Sequence, residues 1–148
     1  MPMSSPANQS TRTAPRLSAR ARTFLEAPRF GVVSAINPDG SPLQAVIWYE
    51  LDGDAIVFNS RVGRRWPTNL MRDPRVSLLV ADGYAYVDLR GSVEVDCDPV
   101  RGQAVIAQLT HRYHKDPDAA ARQIEGFSRD QRVTFVLRPE RIFERLPE

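Results

Sequence analysis

FGVVSAINPDGSPLQAVIWYELDGDAIVFN, residues Phe30 to Asn59, is the stretch that decides the fold. Phe30 to Ile36 is rich in β-branched residues, which suit an extended, half-buried chain. It runs into Asn37-Pro38-Asp39-Gly40, where proline fixes φ and glycine accepts a positive φ, so the chain must reverse there. Leu43 to Leu51 resumes as strand, Asp52-Gly53-Asp54 turns again, and Ala55 to Asn59 is a third strand. Three strands joined by links this short form an antiparallel meander.

Upstream, Leu17, Ala21, Phe24 and Leu25 have helical spacing that stops at Pro28. Met1 to Arg16 carries Pro2, Pro6 and Pro15 among polar residues and is expected to be a disordered tail. Its arginine-rich, acid-free character also fits a transit peptide or a polyanion-binding arm. Downstream, a short helix over Arg61 to Asp73 ends at Pro74, and Arg75 to Ala81 is a strand. Asp82-Gly83 turns into a strand over Tyr84 to Val95, where Gly91 marks a bulge or a close backbone approach. Asp98-Pro99 opens a helix whose apolar face is Val105, Ile106, Leu109 and Tyr113. Pro117 to Ile124 is helical, and Arg132 to Leu137 is a final strand, with Ile142 and Phe143 expected to end it. Too few strand-helix-strand alternations remain for a doubly wound sheet. The expected fold is mainly β with peripheral helices, a six-stranded antiparallel barrel over residues 17–148.

A chain of 148 residues fits one domain, and 42% hydrophobic with 26% charged residues is ordinary for a packed core. The formal charge is +2, but Arg12, Arg16, Arg20 and Arg22 precede the first acid, Glu26, and without them the remainder carries about −2. The basicity therefore belongs to the tail, which argues against nucleic acid as a partner. No window approaches the roughly 18 apolar residues of a membrane helix. With one cysteine, Cys97, there is no internal disulfide framework, and a cytoplasmic location is expected.

The chemistry concentrates in Asn59-Ser60-Arg61-Val62-Gly63-Arg64-Arg65-Trp66-Pro67-Thr68-Asn69. No acid lies between Asp54 and Asp73, while Arg61, Arg64, Arg65 and Arg72 fall close together. Arginine forks match phosphate oxygens, and a hydroxyl and a helix N-terminus add donors. By charge alone the stretch is either an anion cradle or a solvated basic loop.

These motifs, with Trp48-Tyr49-Glu50-Leu51-Asp52-Gly53-Asp54 and Arg72-Asp73-Pro74-Arg75-Val76-Ser77-Leu78, resemble the split β-barrel family typified by pyridoxamine 5'-phosphate oxidase, in particular its coenzyme F420-dependent branch. The likeness covers about Leu17 to Leu137. It implies an FMN-binding split barrel that pairs as a homodimer, with the cofactor in a groove between subunits. Carried over, Ser60, Arg61, Arg64, Arg65 and Asn69 would contact the phosphate and tail, with Asn59 and Trp66 in the same cofactor-binding segment. Val46, Ile47 and Trp48 would flank the ring. Relatives often place a phosphate-binding lysine eight residues before the proline of Arg72-Asp73-Pro74, where this chain has Trp66. Arg64 or Arg65 could supply that charge, and Trp66 either stacks on a ring or packs.

The resemblance implies a reductase that transfers hydride between coenzyme F420 and a small unsaturated or electron-poor molecule. An FMN-dependent enzyme and a non-catalytic deazaflavin- or anion-binding protein are the alternatives. No Ser/His/Asp arrangement, phosphate loop or metal-ligand cluster stands out, and a flavin-type cofactor needs few catalytic side chains. His111 and His114, three apart, could share a metal but read better as helix-end histidines. Tyr84 and Tyr86 would face one side of a strand, as packing groups or as a proton donor. No catalytic residue is assigned.

Overall fold

The computed structural model describes residues 15–147. The expected tail, residues 1–16, lies outside them except for Pro15 and Arg16. The elements in chain order are α1 (Ala19–Glu26), β1 (Gly31–Ile36), β2 (Pro42–Ile47), β3 (Glu50–Asp52), β4 (Ala55–Arg61), α2 (Arg65–Arg72) and β5 (Arg75–Asp82). There follow β6 (Ala85–Asp96), α3 (Pro99–Tyr113), α4 (Pro117–Phe127), β7 (Arg132–Leu137) and β8 (Arg141–Arg145).

Local chemistry accounts for the punctuation. Ser18 caps α1, its hydroxyl accepting from the Ala21 N–H at 3.0 Å, and Asp98 caps α3 by accepting from the Val100 N–H at 3.1 Å. In the β1–β2 hairpin the Asn37 N–H donates to the Ser41 carbonyl, and Gly40 takes φ of 86°, a conformation that disfavours a side chain.

All strand pairings are antiparallel, in the order β2-β1-β5-β6-β7-β4-β3, with β8 paired to β6. The long β6 joins two halves. Its first part pairs with β5 and β8, and Val93 to Asp96 pair with β7. The result is a curled, split sheet. The described residues form eight strands where six were expected. One extra strand is β8. The other arises because Leu43 to Leu51 breaks at Trp48-Tyr49, where the chain crosses from one half to the other and the ends of the sheet, β2 and β3, become sequence neighbours. Tyr49 anchors that break: its ring is buried, and its hydroxyl donates to the Leu25 carbonyl at 2.9 Å.

A second correction concerns Tyr84. Pairing of Asp82 with Ala85 makes Gly83-Tyr84 the two-residue turn, so Tyr84 is 90% exposed and does not share a strand face with Tyr86. Gly91 is a close approach without a bulge: an added Cβ would lie 3.2 Å from the Arg138 carbonyl oxygen and the Glu140 nitrogen.

Two apolar clusters follow from strand alternation. Ile56, Phe58, Val133, Phe135 and Leu137 face the barrel interior with Trp66, Leu70, Leu78 and Leu89. Ala55, Val57 and Val136 face outward and pack under Val105, Ile106 and Leu109 of α3. That helix therefore covers one outer face, and the candidate site opens at its edge.

Candidate functional site

A cavity of about 260 Å³ lies where the ends of β2, β4 and β7 meet α3 and α4. Val46, Ile47 and Trp48 line it from β2 and the residue after it, Asn59, Ser60, Arg64 and Trp66 from β4 and the start of α2, and Ile106, Leu109, Gln123, Phe127 and Arg132 from α3, α4 and β7. Its mixture of an apolar wall with a few convergent polar groups suits a ligand with a ring and an anionic end.

The cradle segment divides between two places. Asn59, Ser60, Arg64 and Trp66 line the cavity, whereas Gly63, Arg65, Thr68 and Asn69 line a separate open depression with Asn37, Pro38, Asp39 and Arg72. The division follows from α2 beginning at Arg65, which turns successive residues to different sides. Arg61 is exposed at the end of β4, opposite Arg132 in the ladder, and lines neither.

Asn69 is spent internally: it donates to the Asn37 side chain at 2.9 Å and accepts from Arg72 at 2.9 Å. Trp66 is 7% exposed and packs on Phe58 and Phe135, with ring centroids 5.9 and 5.7 Å away. It is chiefly a core residue with an edge on the cavity. Trp48 stacks on Tyr113, 5.2 Å between centroids and 8° from parallel, and Tyr113 stacks in turn on Phe30. The Trp48 position is thus fixed from α3. Val46 is 68% exposed on the open side.

Among the cavity-lining residues, Ser60 is the one with a buried, unpartnered side-chain atom. It is 2% exposed, yet its hydroxyl has no hydrogen-bond partner among the described residues. A buried hydroxyl without a partner costs about 1–3 kcal/mol, and such groups mark functional sites or an absent ligand. Arg64 makes no side-chain hydrogen bond or ion pair among the described residues, and it lines the same cavity as Ser60.

Sequence reasoning missed Arg132. It stands at the start of β7, in phase with Thr134 and Val136 on the face covered by α3, and its side chain is 7% exposed. Its Nε donates to Asn59 Oδ1 at 2.7 Å and one terminal nitrogen donates to Asp130 at 3.0 Å. Phe127 lies against its guanidinium, 4.7 Å from the ring centroid. Asn59 is fixed in turn, donating to the Gly102 carbonyl at 2.9 Å and to the Thr134 hydroxyl at 3.2 Å. Gly102 permits the close fit, since a Cβ there would lie 3.2 Å from the Arg132 carbonyl oxygen. Burial lowers the Arg132 pKa below its ordinary value; Asp130 opposes this, and Arg64 and Arg61 add to it. The available signal was an arginine in phase with buried strand positions, but only the ladder with β4 brings it beside Asn59.

His111 is exposed, and the His114 ring contacts the Gln123 side chain and meets Trp48 edge-on. Among the described residues no three His, Cys, Asp or Glu side chains cluster as metal ligands, and no helix is long and apolar enough to cross a membrane.

The model of the pyridoxamine 5'-phosphate oxidase family matches residues 17–145. Among solved structures, an F420 reductase is 27% identical with a TM-score of 0.68, over 86% of this chain and 98% of its own. A conserved hypothetical protein from Mycobacterium tuberculosis is 26% identical with a TM-score of 0.73, over 90% and 87%. A heme storage protein from Vibrio cholerae shares the fold at 18% identity and a TM-score of 0.67, over 88% and 95%. No curated protein matches the chain.

Proposed function

The chain belongs to the pyridoxamine 5'-phosphate oxidase family, and from that premise we propose that it is a coenzyme F420-dependent reductase acting on a small unsaturated or electron-poor molecule. The observation that carries the reading is the unpartnered Ser60 hydroxyl at a cavity that Arg64 and the Val46 to Trp48 segment also line. A phosphate oxygen would satisfy the hydroxyl and compensate the arginine, so these residues fit the phosphate end of a flavin-type cofactor. The likeness to an F420 reductase supports the deazaflavin over FMN.

Ser60 and Arg64 would hold the phosphate, and Val46, Ile47 and Trp48 would flank the ring. The bound deazaflavin supplies hydride transfer. The chain's own residues bind and orient: the stack of Trp48 on Tyr113 keeps one wall rigid, and Ile106, Leu109 and Phe127 keep water from the interior. A second copy completes the groove in this reading, covering the exposed Val46 side.

Titration of the purified protein with F420 and with FMN tests the reading, followed by reoxidation of reduced F420 with a panel of enones, quinones and nitro compounds. F420 binding with turnover is the expected result. Preferential FMN binding would replace the cofactor, binding without turnover would make the protein a carrier, and binding of neither would overturn the proposal.

A further inference from the structure

Arg132 is a buried cation whose local charge is not balanced. Asp130 is the carboxylate it pairs with, at 3.0 Å, whereas Arg64 and Arg61 are near enough to disfavour its charge. Its other hydrogen-bond partner, Asn59, is neutral. A guanidinium carries five N–H donors. Two are used, by Asn59 and Asp130, and the remainder have no partner among the described residues. Buried charges are retained at a desolvation cost that only pairing and full hydrogen bonding offset. Arg132 lines the cavity, and its second terminal nitrogen is not sealed from solvent, so a partner can reach it from there.

The fixing of this side chain also exceeds what a strand end needs. Asn59, Asp130 and Phe127 hold the guanidinium from three directions, and α3 is seated on its backbone through Gly102. A guanidinium locked in that way is preorganised for a bidentate anion, since little side-chain entropy remains to be lost on binding.

We infer that Arg132 is an anion ligand of the cavity, taking with Arg64 the oxygens of one phosphate group. The inference rests on reading the cavity as a phosphate site, but not on which redox cofactor carries the phosphate. It moves the centre of charge away from the arginine-rich segment: of the two cations, the more buried comes from β7.

Calorimetric titration of the full-length protein, wild type, Arg132→Met and Arg132→Lys, tests this without turnover. The probes are inorganic phosphate, FMN and riboflavin, which is FMN without its phosphate. Arg132→Met is expected to weaken phosphate and FMN roughly 10- to 100-fold, the range of a charge-assisted hydrogen bond, while riboflavin changes less than about 2-fold. Arg132→Lys should recover part of the loss. Equal losses for FMN and riboflavin would make Arg132 structural and overturn the inference, as would wild-type phosphate affinity in either folded variant or no phosphate binding by the wild type. Should Arg132→Met lose its cooperative thermal transition, Arg132→Lys decides the matter through the ratio of FMN to riboflavin affinity. Phosphate binding that depends on Arg132, in a protein that takes neither FMN nor F420, would sink the redox reading and leave this one standing.

Discussion

Ser60→Ala should move stability and affinity in opposite directions. In the free protein the Ser60 hydroxyl is buried and unpaired, and a group of this kind costs about 1–3 kcal/mol. Alanine removes the polar atom, leaves the strand backbone intact and creates almost no void, so most of that cost is recovered. The loss of β-propensity is worth a few tenths of a kcal/mol in the other direction. A net gain of about 1 kcal/mol corresponds, for a chain of this size, to a rise in Tm of about 3–5 °C. With a phosphate ligand the same substitution deletes one hydrogen bond to a charged oxygen, about 1.5–3 kcal/mol or roughly 10- to 100-fold in Kd. Differential scanning calorimetry of the free protein and titration with inorganic phosphate read the two effects separately. A fall in Tm with unchanged phosphate affinity would mean that the hydroxyl is satisfied in the free protein and idle in the complex, which refutes the reasoning.

The two neighbouring arginines should separate. Arg64→Ala is expected to weaken phosphate-bearing ligands roughly 10-fold or more, whereas Arg65→Ala, on the other depression, should change Kd less than about 3-fold because exposed charges act through screened solvent; equal effects in the same titration would contradict the division of the segment. Alkaline unfolding should report Tyr49. Burial raises its phenol to about 12, and the hydroxyl donates to the Leu25 carbonyl, so the folded state favours the neutral form. The unfolded phenol titrates near pH 10 (about 10 for a model tyrosine), so this contribution is complete below about pH 10 and is lost as pH rises through about 12. Denaturant midpoints between those limits should fall, and Tyr49→Phe should flatten the fall; an unchanged slope would show that Tyr49 is not the titrating group.

Much of the fold was legible because its signals are local. Asn37-Pro38-Asp39-Gly40 and Asp52-Gly53-Asp54 strongly favour reversal, and Asp98-Pro99 suits the first turn of the helix it opens. The break at Trp48-Tyr49 was not legible. Leu43 to Leu51 has unbroken strand character, and the break depends on where Tyr49 finds the Leu25 carbonyl and Trp48 finds Tyr113. Tyr84 was misplaced for a related reason: turn chemistry marks Gly83, but the ladder pairing Asp82 with Ala85 chooses which residue joins it in the turn.

The sequence by itself determined the β-meander, the helix caps and the concentration of arginine between Asn59 and Asn69, since each depends on residues within a few positions of one another. Tertiary structure alone decided which of those residues share a cavity. A helix beginning at Arg65 parts it from Arg64, and Asn69 is consumed by Asn37. The β4–β7 ladder brings Arg132 beside Asn59 across more than seventy positions, and no spacing rule reaches that far. Charge pattern along a chain reports how many cations are near in sequence; burial and strand pairing decide which of them an anion can meet.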